Sequence, residues 1–259
     1  MSDLFNFHKD ERGVAFITLN RPEIHNAFND DLIKGLTNIF KDMDGDSSVR
    51  LVVLSGNGKS FCAGADLNWM KSMVHYSEEE NFKDSQNLAN LFFTINNFKK
   101  PVIGKINGAA LGGGCGLVSV CDFVITHSKA KFGFTEVKLG LLPATISPFV
   151  IAKIGQSHAR ALFMSGHIFK AKHAKKIGLV HKVVEPDELD EKTDEAITHF
   201  LQAGPLAAMA SKALIKNVLI KEGHDLIEYT CLEIARLRVS PEGQEGMNAL
   251  LEKRKPSWI

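Results

Sequence analysis

Residues 104–122, GKINGAALGGGCGLVSVCD, constrain the fold of this chain more than any other stretch. An apolar run from Pro101 leads into Gly108, Gly112, Gly113, Gly114 and Gly116, and the apolar LVSV follows. The pattern predicts a buried strand, a glycine-rich turn and the first turns of a helix through Val120. Glycine lets a backbone approach a neighbour closely and takes positive φ without strain. A helix start leaves its first N–H groups unpaired and carries positive partial charge. Such a turn suits an anion, or an oxygen that becomes one. Taken alone, the glycines are better explained by a tight strand-to-helix crossing.

The surrounding pattern supplies context. VAFITLN (14–20) reads as a strand. Asn29 is placed to cap a helix over DDLIKGLTNIFKDMD, with apolar residues at helical spacing. SSVRLVVLSGNG (47–58) is a second strand, its apolar run continuous as in parallel sheets. Ser77 and Glu80 form a capping box before a long helix to Phe98. Strands at 101–106 and 122–126 flank the glycine turn. Up to this point strands and helices alternate, which predicts an α/β domain with right-handed crossovers. After Pro143 the chain turns helical, with helices expected at 148–155, 157–165, 171–177, 186–203, 205–222, 224–239 and 240–254. Only a short strand at 179–184 interrupts them.

Three loops, RPEIHNAF, FCAGADL and ALGGGCG, follow three of the strands. Ligands of open α/β sheets bind beyond the carboxyl ends of the strands, so these loops should converge. Two of them offer small residues and backbone N–H groups, the composition of an oxyanion hole. With two such loops, a site is favoured over a mere crossing. Glu136, within FGFTEVKLGLLP, is the carboxylate of interest: burial would raise its pKa into a range useful for proton transfer. A Glu136–Lys138 surface pair is the competing reading. Asp66 is read as a helix cap, Asp122 as structural and His25 as part of a polar loop. GGGCG lacks dinucleotide-fingerprint spacing, and GNGK at 56–59 is not a phosphate-binding GxxxxGK[ST] loop.

Lys+Arg is 31 against Asp+Glu 30, so no basic excess points to nucleic acid. The cysteines (62, 115, 121, 231) show no CxxC pair and no spacing that would hold a metal with histidine, which fits a reduced, cytoplasmic setting. The first residues lack a signal or transit pattern, and no apolar run approaches a membrane span.

At these residues the sequence resembles the crotonase (enoyl-CoA hydratase/isomerase) superfamily over nearly its whole length. The carrying motifs are LNRPEIHNAF (19–28), SGNGKSFCAGADL (55–67), KPVIGKINGAALGGGCGLVSVCD (100–122), FGFTEVKLGLLP (132–143) and EGMNALLEKRKPSW (245–258). The resemblance implies an α/β fold, a crotonase-like spiral of ββα repeats over 1–200, with an all-helical trimerisation region over 201–259. It implies an acyl-CoA thioester substrate, no cofactor beyond the CoA of that substrate, no metal, and a homotrimer or dimer of trimers. Carried over by position, the N–H groups of Ala65 and Gly113 resemble the oxyanion hole, and Glu136 the catalytic carboxylate. His25, Ala27, Ala63, Gly64, Asp66, Leu67, Leu111, Gly112, Gly116, Thr135 and Leu142 resemble segments that line the CoA and acyl path. Trp258, after the basic EKRK, resembles a C-terminal element that covers CoA.

Two departures from the family pattern stand out. Two-glutamate hydratases carry their first glutamate where this chain has Gly116, and the PG-x-GGTQ-like stretch is replaced by PATISPF at 143–149. AGADLNWM, GGGCGL and EVKLGLLPATISPF are similar to the methylglutaconyl-CoA and carboxygeranoyl-CoA hydratase branch. The reaction this implies is hydration of a branched carboxy-enoyl-CoA. A single-glutamate Δ3-Δ2 enoyl-CoA isomerase and a catalytically silent acyl-CoA-binding oligomer are the alternatives. His25, Lys71, Lys138, Thr145 and Ser147 are candidates to meet a distal carboxylate.

Overall fold

The computed structural model describes residues 4–259. Strand β1 (Phe5–Lys9) pairs antiparallel with β2 (Val14–Leu19), and α1 (Asp30–Gly45) follows. The next unit is β3 (Leu51–Gly56), β4 (Ser60–Cys62), α2 (Leu67–Met73) and α3 (Glu78–Asn97). Then come β5 (Val102–Ile106), β6 (Ala109–Leu111) and α4 (Gly113–Val120), and after them β7 (Phe123–His127), β8 (Lys131–Gly133) and α5 (Ser147–Ser165). The last mixed unit is β9 (Phe169–Lys170), α6 (Ala171–Lys176), β10 (Lys182–Val184) and α7 (Leu189–Leu201). Helices α8 (Pro205–Val218), α9 (Gly223–Val239) and α10 (Pro241–Leu251) complete the chain.

The strands sort into two sheets by their place in each repeat. One sheet has the order β1-β2-β3-β5-β7-β10, parallel from β2 onward; the other has the order β4-β6-β8-β9. The three central pairs, β3–β4, β5–β6 and β7–β8, each give their first strand to the large sheet and their second to the small one, which makes the chain spiral; β1 and β2 both join the large sheet, and β9 and β10 take the reverse order. The expected strands of the large sheet are present. The short strands β4, β6, β8 and β9 were not expected from the sequence, and neither was β1. They run two to five residues, and pairing across the sheet, not local composition, makes them strands.

Local signals explain several boundaries. The Asn29 side chain accepts from Leu32 N–H at 3.0 Å, and Ser77 and Glu80 form the expected capping box. The expected helices 148–155 and 157–165 form one run, α5, kinked at Gly155, whose φ of 75° no helix accommodates. The expected helix 186–203 begins instead with a single 3-10 turn before α7.

Helix α4 lies at the centre, and every residue from Gly114 to Val120 is buried. Its first turn presses against β4: a Cβ at Gly114 would sit 2.1 Å from the Cys62 carbonyl oxygen. Only glycine fits there. By contrast, α8 and α9 bury none of their residues within the chain. Polar bonds tie the tail helices to one another and to the start of β3. Glu242 accepts from the N–H groups of Leu206 and Ala207, and Arg50 donates to the carbonyls of Leu201, Ala203 and Trp258. No helix among the described residues is long and apolar enough to cross a membrane.

Gly114→Ala should therefore destabilise the fold by roughly 1–3 kcal/mol, the usual cost of overpacking a core. Gly45→Ala, where nothing lies within 4 Å of the added carbon, should change stability by less than about 1 kcal/mol. Chemical-denaturation midpoints of the two variants check the contrast.

Candidate active site

The site assembles where β4, β6 and β8 end side by side. After β4 the chain passes through Ala63 and Gly64, with Gly64 at φ 96°. Phe28 bridges Ala65 in parallel: Phe28 N–H donates to Gly64 O at 2.7 Å, and Asp66 N–H donates to Phe28 O at 2.8 Å. In a parallel bridge these bonds use the groups flanking Ala65, so Ala65's own N–H points to the other side. It has no acceptor among the described residues.

After β6 the chain turns at Gly112, whose φ is 51°, and enters α4. Gly112 N–H donates to Gly133 O, while its carbonyl accepts from Cys115 and Gly116. Gly113 N–H is left as the first orphan donor of the helix, at its positive end. A Cβ on Gly113 would lie 2.8 Å from the Phe28 ring, whose backbone bridges Ala65. The two unspent amides therefore belong to one packed unit.

After β8, Thr135 leads into a 3-10 turn that starts at Glu136. The Glu136 carboxylate lies over Gly112: a Cβ there would be 3.2 Å from Oε1. Its Oε2 is buried and has no hydrogen-bond partner among the described residues. Burial raises the Glu136 pKa above the ordinary carboxylate value, offset in part by its own backbone N–H. Glu136 makes no ion pair among the described residues, and Lys138 packs its stem beside Gly166 instead. The surface-pair reading of these two residues is not what the fold adopts. An unpaired, partly buried carboxylate next to two free amide donors can move a proton beside an oxygen that gains charge.

The remaining expected positions divide into groups. Ala27 is buried in the loop after β2, while His25 is exposed at φ 57° and shares a hydrogen bond between Nδ1 and Ser60 Oγ at 3.0 Å. Asp66 caps α2 by accepting from Asn68 N–H and pairs with Arg21 at 2.8 Å. Burial alone would raise the Asp66 pKa; the Asn68 N–H and the Arg21 guanidinium outweigh it and hold it below the usual range. This carboxylate is committed to structure. Leu111 and Thr135 border Gly133 beside Glu136, and Leu67 and Leu142 are largely exposed apolar side chains.

Two positions stand apart. A Cβ on Gly116 would meet Ile146 Cγ2 at 2.4 Å and the Phe92 ring at 2.8 Å. Gly116 is therefore sealed in packing and lines no open path. Trp258 lies against Gly246 and donates from Nε1 to Gln202 O at 3.1 Å, and Arg50, just before β3, donates to its carbonyl. That is the opposite end of the large sheet from these loops, so within one chain Trp258 does not join them.

Sequence reasoning missed Arg21 and Asn26. Asn26 is fully buried at φ 56°. Its Oδ1 accepts from Arg21 N–H, and its Nδ2 donates to Asn57 O and Ser60 O at 2.9 Å each. Arg21 also donates to Ala27 O. Together they tie the loop after β2 to the loop after β4. The available signal was Asn itself, one of the few residues that takes the left-handed region readily. No three His, Cys, Asp or Glu side chains cluster to hold a metal ion among the described residues.

Comparison with known proteins gives this geometry a family. The model of the enoyl-CoA hydratase/isomerase family matches residues 9–259. A short-chain-enoyl-CoA hydratase from Clostridium acetobutylicum is 35% identical over 247 residues, covering 95% of this chain and 94% of that protein. A 2,3-dehydroadipyl-CoA hydratase from Escherichia coli is 32% identical over 252 residues, covering 96% of each. A crystal structure of an enoyl-CoA hydratase from Shewanella pealeana is 36% identical and superposes with a TM-score of 0.94, covering 98% of this chain and 96% of that one. The spiral of paired strands, the glycine-capped central helix and the end-to-end match agree: this chain belongs to the enoyl-CoA hydratase/isomerase family, the crotonase superfamily.

Proposed function

We propose that this chain is an enoyl-CoA hydratase that adds water across the 2,3 double bond of an acyl-CoA thioester. The observation that carries the reading is the partly buried Glu136 carboxylate over Gly112, whose Oε2 has no hydrogen-bond partner among the described residues, together with the unspent N–H groups of Ala65 and Gly113. Glu136 takes a proton from water as the water oxygen bonds to C3. The C2–C3 π electrons move toward the thioester, and its oxygen becomes an enolate held by the two amides. Glu136 then returns the proton to C2, the enolate collapses to the thioester, and one water has been added. One carboxylate performs both transfers, since Gly116 supplies none. The reaction needs no cofactor beyond the CoA of the substrate.

The substrate we favour is a branched enoyl-CoA with a distal carboxylate, of the 3-methylglutaconyl type. Ser147 spends its hydroxyl on Ala144 O and His25 its ring on Ser60, whereas Lys71 and Lys138 form no ion pair among the described residues. Lys138, two residues from Glu136 in sequence and exposed, is the cation we assign to that carboxylate. The name of the E. coli relative, which specifies a dicarboxylic acyl group, supports this class. A second reading, migration of the double bond from C3 to C2, is favoured by the packing that closes Gly116, because one carboxylate suffices for it. Turnover in 18O-labelled water separates the two: label at C3 of the product supports hydration, and an isomerised, unlabelled product overturns it.

Glu136→Gln should lower kcat by about 10²- to 10⁴-fold in a steady-state assay; unchanged turnover would remove Glu136 from the proton transfer, and a wild type that binds acyl-CoA without turnover would instead be a silent binder. The same variant should be more stable than the wild type at neutral pH. Burial raises the folded-state pKa of Glu136, so the native state holds the proton more tightly than the unfolded chain. The stability contributed by this group is present below the unfolded pKa and is lost as pH rises through the folded one. Glutamine removes that loss, and its advantage should shrink as pH falls toward the ordinary glutamate value. Melting temperatures across that range test the sign.

The tail is proposed to assemble three chains, or two such trimers. Leu219, Ile220, Val239, Leu250 and Leu251 are each more than 70% exposed in the single chain, and apolar side chains concentrated on one region in this way are the material of an interface. Light scattering should return a mass of three or six chains, and a monomer at micromolar concentration would contradict this assembly.

A further inference from the structure

Helix α4 presents Gly113 N–H at one end, and its other end is held by a residue with no place in the chemistry above. The helix has eight residues and no side-chain cap at its start. Its C-terminal carbonyls are orphan acceptors that something must satisfy. Lys153, on α5, donates from Nζ to Cys121 O and Val118 O. It forms no ion pair with a carboxylate within 4 Å among the described residues. An ammonium at a helix C-terminus is favourably placed in the helix dipole.

Helix α5 grips α4 at two levels. Ile146, which caps the start of α5, packs on Gly116, and Lys153 holds the last carbonyls. Two residues beyond Lys153 the helix breaks at Gly155. The segment gripping α4 is therefore the short one before the kink, which the chain enters from the Glu136 turn through residues 140–146.

The groups facing Lys153 leave its charge to the carbonyls. Asp122 is near, but its Oδ2 already accepts from Val102 N–H and from Lys212 Nζ, which reaches in from α8. Cys121 donates its thiol to Leu117 O. His181 accepts from Val124 N–H through Nδ1, and burial followed by the nearby Lys153 charge lowers its pKa. Burial likewise lowers the Lys153 pKa.

Resting on the enolate chemistry proposed above, we propose that Lys153 is a positioning residue that fixes α4 and thereby aims Gly113 N–H at the thioester oxygen. It touches no reacting atom. At about 1.5 Å of rise per residue, the eight-residue helix puts the two ends roughly 12 Å apart. A small tilt at the lysine end therefore moves the amide.

Lys153→Met keeps the aliphatic stem and removes the ammonium. The expected result is a fall in kcat of about 10- to 100-fold with KM changed by less than about 3-fold, since a misaimed donor weakens transition-state binding more than substrate binding. The carbonyl stretch of a bound, unreactive thioester analogue, read by difference infrared spectroscopy, should shift less from its solution value than in the wild type. Lys153→Arg should restore both readouts. If the Met variant does not fold, Lys153→Gln, which keeps a donor without the charge, takes its place. Unchanged kcat, or a kcat loss with the carbonyl band at its wild-type position, would overturn the proposal. If the wild type turned over no enoyl-CoA, the reaction proposed above would fail, while the band on the bound analogue would still test Lys153.

Discussion

The contact between Gly114 and the Cys62 carbonyl sets the distance between β4 and α4, and the site depends on it. With a Cβ position only 2.1 Å from that oxygen, the helix sits one side chain closer to the strand than any other residue would permit. That closeness puts the first turn of α4 beside the Ala65 loop. It also buries the helix so fully that its dipole acts in a low-dielectric setting, where an unpaired N–H polarises an oxygen more strongly than in water. The three consecutive glycines divide the work: Gly112 makes the turn, Gly113 offers the amide and Gly114 allows the approach.

The other half of the site is held by polar groups. Arg21 and Asp66 are 45 residues apart in sequence and form a pair that is mostly withdrawn from solvent. Such a pair contributes little net stability, but removing one partner leaves a buried charge uncompensated. The pair therefore holds the loop after β2 in register with the loop after β4. Asn26 adds bonds to Arg21, Asn57 and Ser60. The Phe28 bridge to Ala65 forms between these anchors, and its direction decides which way the Ala65 amide points. The geometry of a single N–H is thus fixed by a buried amide side chain and an ion pair, neither of which faces it.

Much of this was legible in the sequence where local physics decides. The Asn29 cap, the capping box at Ser77, the apolar runs of the large sheet and the helix break near 155–157 follow from patterns within a few residues, and each is present. The glycine turn and Glu136 stood out because three glycines and a carboxylate in an apolar run are costly unless used. The small sheet was not legible. Its strands are two or three residues long, and they exist because β4, β6 and β8 pair side by side, a relation between residues tens of positions apart. The Arg21–Asp66 pair was hidden for the same reason. Trp258 shows the limit of transfer by position: the motif fixes where it lies in the chain, while the docking of α10 fixes where it lies in space.

Gly116 has a consequence for how this family can change. Phe92 and Ile146 already occupy the space in which a side chain at that position would begin. Gaining a second acid there thus requires neighbours from α3 and from the start of α5 to shrink first, and either change alone leaves a void in the core without supplying a carboxylate. In this chain the volume is already filled, so packing alone keeps any side chain, acidic or not, out of position 116.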